Sequence, residues 1–126
     1  MYIETNVKDV DIMAQIFEIT PSGNRIHLTG QILRARYRES LEKEKLLIPG
    51  EINLFRFDNF TFISRVIERG SHIQLIISSP NSPYDQKNYC SGGNIAFETA
   101  KDSHIATVKI YNDSKHPSTI YIPIVK

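Results

Sequence analysis

At 126 residues, 40% hydrophobic and 23% charged, the chain has the length of one domain and the composition of an ordinary globular protein. With 15 basic and 14 acidic residues the formal net charge is +1, which gives no overall field to attract nucleic acid, an anionic membrane or an acidic substrate. The single cysteine, Cys90, excludes an internal disulfide and suits a reducing compartment.

The first residues, Met1 to Asn6, lack the basic segment and apolar run of a secretory signal. No apolar run approaches the ~20 residues needed to cross a bilayer. A cytoplasmic location is therefore expected. Residues 10–20 follow, apolar on both faces, with Ile12, Ala14 and Ile16 against Met13, Phe17 and Ile19. That pattern predicts a strand covered on both sides, and its β-branched content argues against a helix. Pro21, Ser22, Gly23 and Asn24 supply a turn, residues 25–28 restart an extended run, and residues 31–38 alternate in their second half.

Residues 41–47 offer the only helical turn in the chain, stopped by Pro49 and Gly50, but read better as a charged surface loop. Strand signals then cover residues 52–57, 60–67 and 72–79, with Arg69 and Gly70 turning the chain before the last. In that last strand Ile73, Leu75 and Ile77 share one face. Residues 80–93 form a long connection rich in turn-forming types, and residues 104–111 and 119–125 supply two final strands. About eight short strands and almost no helix predict a single all-β domain over residues 1–126, a β-sandwich or barrel. Within that class a jelly roll is the expected form.

Candidate chemistry is sparse. A nucleophile elbow needs Gly-x-Ser-x-Gly, because only small neighbours fit its strained turn. Gly70-Ser71 is followed by His72, and Cys90-Ser91-Gly92-Gly93 lacks the preceding glycine. Cys90 has two readings: a nucleophile served by His72, His104 or His116, or a free thiol in a surface connection. The four histidines are widely spaced, without a metal-binding pattern. Asp9 and Asp11 are either oxygen donors to a calcium ion or a solvated strand end. No catalytic residue, cofactor or metal ligand is assigned.

Residues 33–38, Leu-Arg-Ala-Arg-Tyr-Arg, are the most distinctive segment. In an extended strand Arg34, Arg36 and Arg38 project to one face roughly 7 Å apart, where they repel unless anions or carbonyls lie between them. They form either a docking surface for an acidic partner or an internally paired set using Glu39, Glu42, Glu44 or other local acids. RNA binding through the same arginines with Tyr37 or Tyr89 is disfavoured by the near-zero net charge. Saccharide binding would rely on Tyr84, Tyr89, Tyr111 and Tyr121, since the chain has no tryptophan.

The same residues carry a family resemblance. Asp9-Val-Asp-Ile-Met13, Ile32-Leu-Arg-Ala-Arg-Tyr-Arg38, Leu47-Ile-Pro-Gly50 and Arg69-Gly-Ser-His-Ile73 occur in family order. They are followed by Ile77-Ser-Ser-Pro-Asn-Ser-Pro83, Ser91-Gly-Gly93, Ala106-Thr-Val108 and His116-Pro-Ser118. Over nearly its whole length the chain resembles the C-terminal, non-catalytic domain of X-Pro dipeptidyl-peptidase and cocaine-esterase (CocE/NonD) hydrolases. The resemblance implies a galactose-binding-like jelly roll that packs, in cis or in trans, against an α/β-hydrolase domain holding a Ser-Asp-His triad. No triad position lies in the matching blocks. Arg34, Arg36, Arg38, Tyr84 and Tyr89 are the candidate interface residues, and charge reversal at Arg36 is expected to weaken the interface and spare the fold. The familiar domain has further strand residues before the position of Met1, so the sandwich is expected to be truncated at its N-terminal strand. An exposed sheet edge then invites a homodimer by strand addition. A free-standing carbohydrate- or ligand-binding module is the alternative. Neither nucleic acid nor membrane is an expected partner.

Overall fold

The computed structural model describes residues 1–123 and 125. Among the described residues six strands form two antiparallel sheets, the β-sandwich expected from the alternating runs. One sheet has the order β4-β1-β6, with β1 at Tyr2–Thr5, β4 at Ile52–Leu54 and β6 at Val108–Tyr111. The other has the order β3-β2-β5, with β2 at Asp11–Ile19, β3 at Arg25–Arg34 and β5 at His72–Ser78.

Directly opposed residues in a ladder share a face. Ile12 pairs with Leu33, while Ala14 and Ile16 pair with Ile77 and Leu75. These residues therefore form the inner face of the second sheet. In the first sheet Ile3 pairs with Ile110, and Thr5 with Val108. Between the sheets lies a core of Ile3, Val7, Val10, Ile12, Leu33, Ala35, Leu47 and Phe55. The valine, isoleucine, leucine and phenylalanine side chains among them each stabilise the fold by about 1.5–3 kcal/mol when fully buried. Met1 and Phe55 exchange terminal hydrogen bonds at 2.7 and 2.8 Å, extending the β1–β4 ladder past its last strand residues.

The turn at residues 20–24 closes through Gly23, which takes a positive φ of 84° that a side chain would resist. A register shift between Ile16 and Phe17 skips Leu28, a bulge in β3. On the outer face, Phe17 packs edge-on against His27 and under the Arg25 guanidinium.

Several expected elements differ. Residues 25–28 and 31–34 form one continuous strand, β3, because Gly30 joins them closely under the Ala14 carbonyl. Residues 60–67 and 119–123 are not strands; neither segment makes a backbone-to-backbone hydrogen bond to another described residue. Ile124, within the expected final strand, lies outside the described residues. A short 3-10 turn at Ala100–Asp102, capped reciprocally by Thr99 and Asp102, interrupts the long connection before β6.

Candidate interdomain interface

β3 ends at Arg34 because the chain leaves the ladder there. The Ala35 amide donates to Val10 O at 2.9 Å, and residues Ala35–Tyr37 close a 3-10 turn. The expected extended alternation of Arg34, Arg36 and Arg38 therefore fails, and the three side chains take separate routes.

Arg34 remains on β3, opposite Asp11 in the β2–β3 register. Its Nε and NH2 donate to the two Asp11 carboxylate oxygens at 2.9 and 2.8 Å, a bidentate fork. Its outer edge reaches the side chain and carbonyl of Gln86. Arg36 turns inward and is 3% exposed. Its Nε donates to Asp9 Oδ2 at 2.7 Å, its backbone N–H to Asp9 Oδ1 at 2.9 Å, and NH2 to the Gly93 carbonyl at 2.8 Å. Arg38 folds back onto the carbonyls of Ala35 and Lys45, with Glu39 at 3.4 Å.

Between the first two arginines sits Asn88. Its Nδ2 donates to Asp9 Oδ2 at 2.9 Å and to Asp11 Oδ1 at 2.8 Å. Asp9 is completely buried and Asp11 nearly so. Neither the calcium reading nor the solvated strand end describes this pair. Both carboxylates are occupied by arginine and asparagine donors. Among the described residues no group of three or more His, Cys, Asp or Glu is placed to hold a metal ion.

This arrangement corrects one expectation. Arg36 is a buried half of an ion pair, so reversing its charge would strand Asp9 without a counter-charge and damage the fold itself. Arg34 and Arg36 meet through the Asp9–Asn88–Asp11 group, whereas Arg38 serves the neighbouring loop. The Asp-x-Asp and Arg-x-Arg blocks were present in the sequence, but what joins them is the β2–β3 register.

The two tyrosines part company as well. Tyr84 is 95% exposed on the connection after β5. Tyr89 is half-buried, with the Lys87 ammonium 5.0 Å over its ring and its carbonyl accepting from the His104 amide. Tyr111 is structural: its hydroxyl donates to Glu4 and its ring packs edge-on against His116. Cys90 has a positive φ of 65°, and its thiol lies 3.9 Å from the Asn88 carbonyl. Burial, reinforced by the Asp9, Asp11 and Glu98 carboxylates, pushes the thiol pKa up. A nucleophilic cysteine requires the opposite shift.

Sequence reasoning missed the exposed apolar side chains. Phe62 and Val66 are about nine-tenths exposed, and Ile73, Leu75, Val108 and Ile110 are each 37–47% exposed despite facing the sandwich interior. Their alternation was legible. What the sequence could not supply was whether a second layer covers them.

Comparisons with known proteins agree with this architecture. Residues 1–121 match the family described as the X-Pro dipeptidyl-peptidase C-terminal non-catalytic domain. The chain is 33% identical over 126 residues to cocaine esterase from Rhodococcus sp. (strain MB1 Bresler), covering all of this chain and 22% of that protein. A crystal structure of an aminopeptidase from the marine sediment archaeon Thaumarchaeota archaeon superposes with a TM-score of 0.84 at 23% identity, over 92% of this chain and 20% of that one. The chain thus spans about a fifth of the length of these relatives.

Proposed function

Because the chain belongs to the X-Pro dipeptidyl-peptidase C-terminal non-catalytic domain family, we propose that it is the accessory, structural domain of a serine hydrolase. Its partner is an α/β-hydrolase catalytic domain of the same polypeptide, and residues 1–126 act as one unit against it. The parent enzyme acts on esters or X-Pro peptide bonds, and this domain contributes no group to the chemistry. A reducing, cytoplasmic setting suits the free Cys90 thiol.

The observation that carries this reading is the family match over residues 1–121. The network around Asp9 supports it, because it spends the distinctive arginines on internal order. The contact surface is then drawn from Arg34's exposed edge, Tyr84 and the apolar side chains beyond them. A homodimer through a sheet edge is the secondary reading, favoured by the outer edge of β5, which pairs with no strand among the described residues.

A chimera tests the proposal. The region of cocaine esterase matched by this chain is replaced by residues 1–126, and hydrolysis of a p-nitrophenyl ester is measured. The expected result is turnover by the chimera and none by the 126-residue chain alone. A folded, soluble chimera without turnover, or turnover by the isolated chain, overturns it.

A further inference from the structure

The inner face of the second sheet is apolar at one end and polar at the other. Ile12, Leu33, Ala14 and Ile16 give way to Gln31, Thr29 and Glu18, which the β2–β3 register places on the same face. Glu18 is fully buried and Thr29 is 1% exposed. Over them lie residues 59–71, a strap that leads into β5 and forms no strand of its own.

Among the described residues, every hydrogen bond from the strap to the sheet ends on a side chain of the sheet. The Gln31 side-chain oxygen accepts from the Asn59 amide at 3.0 Å. The Thr29 hydroxyl meets the carbonyl and the hydroxyl of Thr61 at 3.1 and 2.9 Å. Glu18 accepts from Arg65 Nε at 2.6 Å, the Glu68 amide at 2.9 Å and the Ser71 hydroxyl at 2.8 Å. No backbone-to-backbone bond joins residues 59–71 to the rest of the described chain. Residues 61–70 are exposed without a break. Segments with few buried contacts and no ladder lie at the low end of local stability. Lifting this one uncovers hydrogen-bonding groups that water can satisfy, whereas lifting a segment off the apolar end would expose hydrocarbon. Gly70, at φ +88°, supplies a pivot just before β5.

We propose that residues 59–71 open and close as a unit over an otherwise intact sandwich, with Glu18 as the latch. Three of the strap's ties converge on that one carboxylate and run from Arg65 to Ser71, so a single acceptor fixes its C-terminal half. Phe62 and Val66 ride on the exposed side of the same strap. Whatever packs on them in the closed position therefore favours the closed latch. The device is independent of the accessory role.

Initial rates of trypsin cleavage of the 126-residue chain, read by mass spectrometry, test this. Cuts after Arg65 and Arg69 require an open strap, whereas a cut after Arg36, 3% exposed, requires the sandwich to unfold. The strap cuts are expected to rise with urea at less than about half the slope of global unfolding, and the Arg36 cut at the full slope. Ile12→Val, a change in the core, should speed the Arg36 cut several-fold and leave the strap cuts unchanged. Glu18→Gln should speed the strap cuts at least about tenfold. If that variant does not fold, Ser71→Ala takes its place, with an expected gain of about fivefold. Strap cuts that rise in step with the Arg36 cut in Ile12→Val mean that the strap leaves only on global unfolding. Strap cuts that do not respond to the latch variant mean that Glu18 does not hold it. Either result overturns the proposal.

Discussion

Asp9 accepts hydrogen bonds from Arg36 Nε, the Arg36 amide and Asn88 Nδ2 without touching solvent. A buried carboxylate is tolerated only when its charge and lone pairs are matched, and removing one partner costs far more than the pair contributes. Asp9→Ala, which leaves the buried Arg36 guanidinium only the half-exposed Glu44 carboxylate at 3.4 Å as counter-charge, should destabilise the chain by about 3–5 kcal/mol in urea unfolding. Gly92 explains the neighbouring glycine pair. It adopts φ +82°, and a Cβ there would lie 2.8 Å from Lys8 Cβ. Gly92→Ala should therefore cost roughly 1–3 kcal/mol from backbone strain alone, read by the same titration. The residue types were visible in the sequence: Asp-x-Asp, Arg-x-Arg and Ser-Gly-Gly stood out as blocks. Their partnership was not, because it depends on a strand register and on the 3-10 turn that redirects Arg36.

At the scale of the elements, the tie between β2 and the segment leading to β5 runs through Glu18. This fully buried carboxylate accepts from Arg65 Nε, the Glu68 amide and the Ser71 hydroxyl. The Arg65 bond foremost, then the Glu68 and Ser71 donors, hold its pKa down to about 2 from an ordinary 4.5. A carboxylate depressed in the folded state adds stability that is complete above its unfolded pKa and is lost as pH falls through the folded one. The melting temperature should therefore drop as pH falls from about 4.5 to about 2. Glu18→Gln should flatten that dependence. β5 was readable from its alternation and β2 from its β-branched, two-sided apolar run, whereas β3 was expected as two separate runs. β1, with only four residues, gave too short a signal. Residues 60–67 and 119–125 carried the alternation of strands, but a strand also needs a neighbour, and none among the described residues pairs with the described part of either. Truncation separates these cases: Phe55→Ala should cost about 3–5 kcal/mol, and Phe62→Ser in the isolated chain within about 0.5 kcal/mol of nothing.

For the molecule as a whole, the balanced charge and the ordered arginines have one meaning: the basic groups expected to face outward hold the fold together internally. The outward-facing feature is apolar instead. Phe62 and Val66 are each about nine-tenths exposed, and exposed apolar side chains that gather into a patch mark a place where something else packs. The isolated chain should bind a hydrophobic dye while keeping a native near-ultraviolet circular dichroism signal, a combination that distinguishes an open native sandwich from a molten state. The order of strands in the first sheet has a kinetic consequence. Tyr2 lies opposite Leu54 on one side and Tyr111 on the other. A ribosome adding roughly 5–20 residues per second delivers β1 several seconds before β6 exists. During that interval the central strand of the sheet has one neighbour at most, so chaperone access to the nascent chain, more than intrinsic stability, should set the yield of correctly folded protein.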